Sequence, residues 1–422
     1  MLMGGDAVFT GTVMDVRRVA GVISVDDYRA QVTELLGRRP AVSVPVQDCA
    51  GLVLAEDVTA SVSLPPFDNS AMDGYAVRSD EVAGASEDAP VQLRVGEDIP
   101  AGRVDVPPLP PGTAHRIMTG APMPDGADAV VMVERTDGGR DTVRVYAESA
   151  SGTHVRRAGE DVARGTVALT AGTVCGPAQL GLASAVGRDT LAVHTPPRVL
   201  VVSTGTELVL PPEPLEHGQI YESNSIMLAA ALRSLGCTVT TVRSVADDVD
   251  SFRAAIEPAL PDVDLVVTSG GVSAGAYEVV KDTLTGAGVT FTKVAMQPGG
   301  PQGHGTWDGV PVVTLPGNPV SVLVSFEAFL RPAILSSLGH DDVDRTRVRA
   351  RLLETLSSPS GKRQFRRGFY SRTDGDVTGV VGPRGGPGSH LLAAFTQANC
   401  LIVLGEDVTE AAQGSEVDVL LF

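Results

Sequence analysis

A multidomain chain with a central parallel-sheet α/β domain, β-rich N-terminal domains and a small C-terminal β-barrel is the fold class this sequence predicts. Three observations predict it. From Pro196 to about residue 340, buried-type strands alternate with helices, the pattern of a parallel sheet covered on both faces. From about 41 to 195, short β-forming runs are broken repeatedly by Gly and Pro. After about 345 short strands alternate with turns again, and 422 residues are in any case too many for one hydrophobic core.

Each element has a local reason. Residues 24–39, SVDDYRAQVTELLGRR, read as a helix with Ser24 as N-cap, Asp26 and Asp27 in the first turn and Pro40 as the stop. The runs LVLAEDVTASV, DAVVMVERT, DTVRVYA and TVALTAGTV read as strands, and GPAQLGLASAVG as a helix. Then PRVLVVSTG, CTVTTVRSV, DLVVTSGG, VTFTKVAM and VPVVTL are strands. The helices between and after them are SNSIMLAAALRSLG, DVDSFRAAIEPAL, AYEVVKDTLTGAG and the long VSVLVSFEAFLRPAILSSLG. RVRARLLETL, RQFRRGFYSR, DVTGVVG, CLIVLG and EVDVLLF supply the barrel strands. The expected domains are 24–46 with 150–195, an inserted β-rich domain at 47–149, the α/β domain at 196–340 and the barrel at 341–422, with 1–23 as an N-terminal extension.

Composition excludes several functions. The net charge of −18 argues against nucleic acid or an anionic membrane as the general partner. Cys49, Cys175, Cys237 and Cys400 are far apart and form no CxxC pair, which suits a reducing compartment and no structural zinc. The N-terminus lacks a basic region followed by a long apolar run, and no window reaches the apolar length of a membrane span. The expected location is the cytoplasm.

In open α/β sheets, ligands bind beyond the carboxyl ends of the strands. Three strands end there in loops of small residues: STGTEL (203–208), SGGVSAG (269–275) and PGNPVS (316–321). Their backbone N–H groups suit a phosphate, so Thr204, Gly205, Ser269, Gly270, Gly271, Ser273, Gly317, Asn318 and Ser321 are candidate ligand-binding residues. No GxxxxGK[ST] and no strand-linked GxGxxG is present, which removes P-loop and Rossmann readings. Residues 271–275 match G-x-S-x-G, and an esterase triad can be drawn from Ser273 with Asp282 and His304, or with Asp308 and His340. It lacks an upstream oxyanion loop.

Glu207, Asp247, Asp248 and Glu278 lie near strand ends, where carboxylates hold a divalent cation against a phosphate; for Asp247 and Asp248, helix capping is the alternative. Upstream, PPFDNSAMDGYAV (65–77) gathers Asp68, Asn69, Ser70 and Asp73 in one loop. RRAGEDVARG (156–165) offers Arg156 and Arg157 as cations. The basic run GKRQFRRGFYSR (361–372) reads as a solvated strand face, and AMQPGGPQGHG (295–305) as a Gly/Pro loop in which a backbone approaches a ligand. The histidines show no metal-ligand spacing.

FDNSAMDGYAV, RIMTGAPMPDGADAVVMVE, RRAGEDVARG, VVSTGTELV, GQIYESNSIMLAA, SGGVSAGAYEVVKD, LPGNPVSVLVSF and GSHLLAAFTQANCLIVL occur in that order. Together they resemble the MoeA family of molybdopterin molybdenumtransferases, whose eukaryotic relatives include the gephyrin E domain, over about residues 24–422. The resemblance implies a molybdopterin-binding α/β domain and a homodimer whose active cleft is shared between subunits. It implies molybdate and adenylylated molybdopterin as substrates, Mg²⁺ as cofactor, AMP as product and a molybdopterin adenylyltransferase as upstream partner. It also implies catalytic roles for Glu207, Asp247, Asp161, Arg156 and Asp68, and metal ligation by Glu207, Asp247 and Asp248. Ser70, Asp73, Thr119, Glu278, Pro298, Gly299, Pro316 and Pro319 join the loop residues in binding the cofactor. Where many family members read Lys-Pro-Gly-Lys-Pro, this chain reads Gln297-Pro298-Gly299-Gly300-Pro301. Lys281, Lys293, His304, Arg366 or Arg367 are the cations nearby in sequence or offered by the barrel. The alternative is a catalytically weak paralogue that binds or scaffolds molybdopterin.

Overall fold

The computed structural model describes residues 21–245, 248–271, 279–372 and 378–422. They form two compact units, 21–40 with Thr195–Phe422, and Ala41–His194.

In the first unit seven strands form one sheet. Their spatial order is Val22–Ile23, Val289–Val294, Pro301–Trp307, Val310–Leu315, Leu265–Ser269, Arg198–Thr204 and Thr238–Val245. The last four run parallel. Alternation sorts their apolar side chains onto two faces. Val199, Val201, Leu265, Val267, Val313 and Leu315 enter one core, and Leu200, Val202, Val266 and Val312 the other. Helices Val25–Leu36 and Asn224–Arg233 cover the first face; Val249–Ile256 and Val279–Ala287 cover the second.

Pro301–Trp307 corrects the reading of 295–305 as a loop. It is a strand, antiparallel to both neighbours. Its glycines make that possible: a Cβ on Gly305 would lie 2.3 Å from Gly288 O, and one on Gly303 2.4 Å from Thr314 Oγ1. At Gly303 and Gly305 glycine supplies close approach of strands, not of a ligand.

Helix Val25–Leu36, grouped by sequence with 150–195, packs instead against the α/β sheet, burying Val25, Tyr28 and Val32. The Tyr28 hydroxyl donates to Gly303 O at 3.0 Å. Ser24 caps the helix, accepting from Asp27 N. The expected long helix spans Pro319–Ser337, but its middle, Phe326–Leu330, is a π-turn. Pro332 has no N–H for the Ala328 carbonyl, and the ladder widens as Arg331 N–H reaches Phe326 O. By length and composition this helix also matches a membrane span, contrary to the sequence reading, yet most of it is buried as a core helix.

Strands Arg363–Ser371, Gly379–Pro383, Arg347–Leu352, Glu416–Leu421 and Cys400–Leu404 close into the barrel. Leu352, Val381, Cys400, Ile402 and Val419 fill it, while Phe365 and Leu401 point outward into the α/β core. All four cysteines are free and buried.

The second unit holds a five-stranded sheet, in the order Thr142–Val145, Val91–Ile99, Thr113–Ile117, Gly74–Val77 and Ala129–Met132. A separate three-stranded sheet, Ala41–Pro45, Thr190–His194 and Val53–Leu54, packs with helix Pro177–Ala185 around Cys49, Leu54, Ala183 and Val193.

Candidate active site

A cavity of about 880 Å³ opens over the carboxyl ends of the parallel strands in the first unit. It gathers thirteen predicted residues: Thr204, Gly205, Glu207, Ser269, Gly270, Gly271, Pro298, Gly299, Pro316, Gly317, Asn318, Pro319 and Ser321.

Two glycines set its floor. Gly270 has φ +97°, and a Cβ there would lie 2.6 Å from Thr204 O, so only glycine lets the first two strand ends meet. A Cβ on Gly205 would fall within 2.9 Å of the whole Glu207 carboxylate, which therefore folds back over the strand end. The buried Thr204 Oγ1 and Ser269 Oγ beside them have no hydrogen-bond partner among the described residues. Buried hydroxyls without a partner are costly unless a ligand satisfies them.

Three further parts of the wall were not singled out as site residues by sequence. Glu222, buried, accepts from Ser225 N at 2.8 Å and Oγ at 2.5 Å, capping Asn224–Arg233. Asn224 Nδ2 donates to Gly317 O at 2.7 Å, tying two loops together. Pro387, Gly388, Ser389 and His390 enter from the barrel region, and Ser389 O accepts from Val320 N. The signals were present in GQIYESNSIMLAA and GSHLLAAFTQANCLIVL, without a reason to assign particular residues.

Among the described residues lining the cavity there is no lysine or arginine; the titratable groups are Glu207, Tyr221, Glu222 and His390. None of Lys281, Lys293, His304, Arg366 and Arg367 lines it. His304 packs edge-on to Tyr28 at 5.2 Å, and burial pushes its pKa down. Arg366 and Arg367, only 9% and 4% exposed, correct the reading of a solvated basic face. Arg367 Nη1 donates to Gly388 O at 3.1 Å, Nε to Arg384 O at 3.4 Å and Nη2 to Gly386 O, so it fastens the loop that lines the cavity. Gln297 lines the cavity, its Oε1 accepting from Gln364 Nε2 at 2.8 Å.

Asp248 does not line the cavity. It is the N-cap of Val249–Ile256, accepting from Ser251 N at 2.8 Å, and hydrogen bonding by Ser251 lowers its pKa. Asp247, Ser273 and Glu278 lie outside the described residues. Among those described, no three metal-binding side chains cluster. Among the described residues lining the cavity, Glu207 is the one open carboxylate, since Glu222 is occupied by its cap; a single carboxylate at a phosphate loop suits Mg²⁺, which takes its other ligands from substrate phosphates and water. Of the hydrolase alternative, neither His304 nor His340 lines the cavity, and its Ser273 lies outside the described residues.

The remaining candidates assemble on the second unit. Strand Val155–Arg156 pairs with Asn69–Ser70. Asp68 accepts from Ala158 N at 2.8 Å and from Arg157 Nη1 at 2.6 Å, which together hold its pKa down. Its partner is thus Arg157, and Arg156 is exposed on the ladder. Asp73 accepts from Thr119 N and Oγ1, also lowering its pKa. Ser70 Oγ donates to Met72 O at 2.6 Å. Asp161 is exposed, with its N–H bonded to Leu64 O.

The chain matches three family profiles. They are the MoeA N-terminal region (domains I and II) at residues 23–187, a probable molybdopterin binding domain at 200–336 and the MoeA C-terminal region (domain IV) at 349–422. It is 52% identical over 403 residues to molybdopterin molybdenumtransferase 2 of Mycobacterium tuberculosis, covering 94% of this chain and 98% of that one. It is 34% identical over 403 residues to the molybdopterin molybdenumtransferase of Haemophilus influenzae, with the same coverage. Among solved structures it resembles a molybdopterin biosynthesis MoeA protein of Pyrococcus horikoshii. Two structures give TM-scores of 0.82 and 0.76 at 33% and 28% identity, covering 95% of this chain and 99% and 100% of theirs.

Proposed function

The chain belongs to the MoeA family, a family of transferases in molybdenum cofactor biosynthesis, and from that premise we propose that it inserts molybdate into adenylylated molybdopterin and releases AMP. The observation that carries the reading is the convergence of thirteen predicted residues, from four separate stretches of the sequence, on one cavity at the strand ends. The loops after Thr204, Ser269 and Leu315 offer N–H groups and hydroxyls to the phosphates. Glu207 with Asp247 would hold Mg²⁺, which would supply charge neutralisation for the departing AMP. Glu207, held over the strand end by the space at Gly205, orients water or metal at the phosphate. In this reading the Asp68–Arg157 and Asp73–Thr119 groups face the cleft of a second copy in a homodimer. An upstream adenylyltransferase supplies the substrate, in the cytoplasm.

A cavity lined by two glutamates and no described lysine or arginine favours a second reading, in which the protein holds molybdopterin without consuming the adenylate. Single-turnover quench experiments with Mg²⁺ or EDTA separate the two. Mg²⁺-dependent conversion of bound adenylate to AMP supports transfer, and binding with intact adenylate supports holding.

A further inference from the structure

Tyr221 is the one aromatic side chain among the described residues of the cavity wall, which is otherwise mostly glycine, proline and small polar groups. It is 43% exposed, and Ile220 beside it is 55% exposed. The ring is fixed at both ends. Its strand, Ile220–Tyr221, pairs with Leu208–Val209, immediately after Glu207, and Ile220 N donates to Glu207 O at 2.9 Å. Its hydroxyl donates to Glu213 O at 3.0 Å. The next residue is the buried Glu222 that caps the following helix. A flat apolar face is thus held rigidly in a polar cavity, one strand pairing away from the phosphate-type loops.

Such a face loses little on ordering and gains from a flat partner, because aromatic stacking adds to the burial of apolar area. We propose that Tyr221 is the stacking platform for the fused nitrogen heterocycle of the ligand, the class that includes both pterin and adenine. The inference rests on the function proposed above. In it the glycine loops take the phosphates, and Tyr221 and Ile220 take the ring.

The test is calorimetric binding of adenosine 5′-monophosphate, 6-hydroxymethylpterin and inorganic pyrophosphate to wild type, Tyr221→Ala and Tyr221→Trp. Tyr221→Ala weakens one of the ring ligands by about tenfold and leaves pyrophosphate unchanged; the ligand that weakens identifies the ring. Tyr221→Trp retains binding, and its emission is quenched on saturation, against the constant background of Trp307, buried beside Phe252. Unchanged binding of both rings by Tyr221→Ala, or unquenched emission in Tyr221→Trp, overturns the proposal. So does a change of oligomeric state in Tyr221→Ala with ring binding intact, which would make a second copy the occupant. If wild type binds pyrophosphate but neither ring, only the stacking proposal falls; if it binds none of the three, the phosphate reading falls too.

Discussion

The Glu207 carboxylate occupies space that a side chain at Gly205 would fill: a Cβ there would lie 2.7 Å from Glu207 Oε2. Glu207→Gln keeps the shape and removes the charge, and Gly205→Ala keeps the charge and moves it. In a molybdate-stimulated AMP-release assay the first lowers turnover about 100-fold, the usual scale for a positioned acid–base or metal-holding group. The second lowers it about tenfold through misplacement. Glu207 is exposed, so the melting temperature of Glu207→Gln stays at the wild-type value.

Gly270→Ala tests the cavity floor. The residue has φ +97°, and the new Cβ would press on Thr204 O at 2.6 Å, a backbone atom that cannot swing aside. Urea unfolding is expected to show a loss of about 2 kcal/mol or more from strain and clash.

Asp264 gives the α/β unit an acid limit. Burial would raise its pKa, but hydrogen bonds from the Arg198 side chain and N–H and from Arg39 outweigh that and bring it to about 2. A carboxylate whose folded pKa is depressed contributes stability above its ordinary value near 4, lost as pH falls towards 2. The shift corresponds to about 2 kcal/mol. In denaturant titrations Asp264→Asn therefore falls below wild type by roughly that amount at pH 6, and the gap closes between pH 4 and 2.

Arg367 is the fastening of the wall that carries Gly388 and Ser389. A lysine ammonium has no planar fork to reach the carbonyls of Arg384, Gly386 and Gly388 together. Arg367→Lys is expected to raise the KM for adenylylated molybdopterin several-fold with a smaller change in kcat, read from steady-state AMP release.

Much of this site was legible because its chemistry is local. The loops after Thr204, Ser269 and Leu315 each carry Gly, Pro or Ser beyond an apolar strand, and a parallel sheet brings such strand ends to one edge. Ser24 shows its capping role in the first residues of its helix, whereas Asp248 read equally as cap and metal ligand and is the cap. What was not legible depends on partners far along the chain. Pro301–Trp307 lacks strand composition, and only Gly288 and Thr314 reveal why glycines were needed there. Arg366 and Arg367 look solvated until the 384–388 loop wraps over them. Helix Val25–Leu36 has an apolar stripe in sequence, but nothing local names the sheet it covers.

The central claim is tested most directly by AMP release from adenylylated molybdopterin by the purified protein with Mg²⁺, measured with and without molybdate, in wild type and Glu207→Gln. The account predicts release that molybdate stimulates and that Glu207→Gln largely abolishes. Tight binding of the adenylate with no release under either condition, or full release by Glu207→Gln, would contradict it.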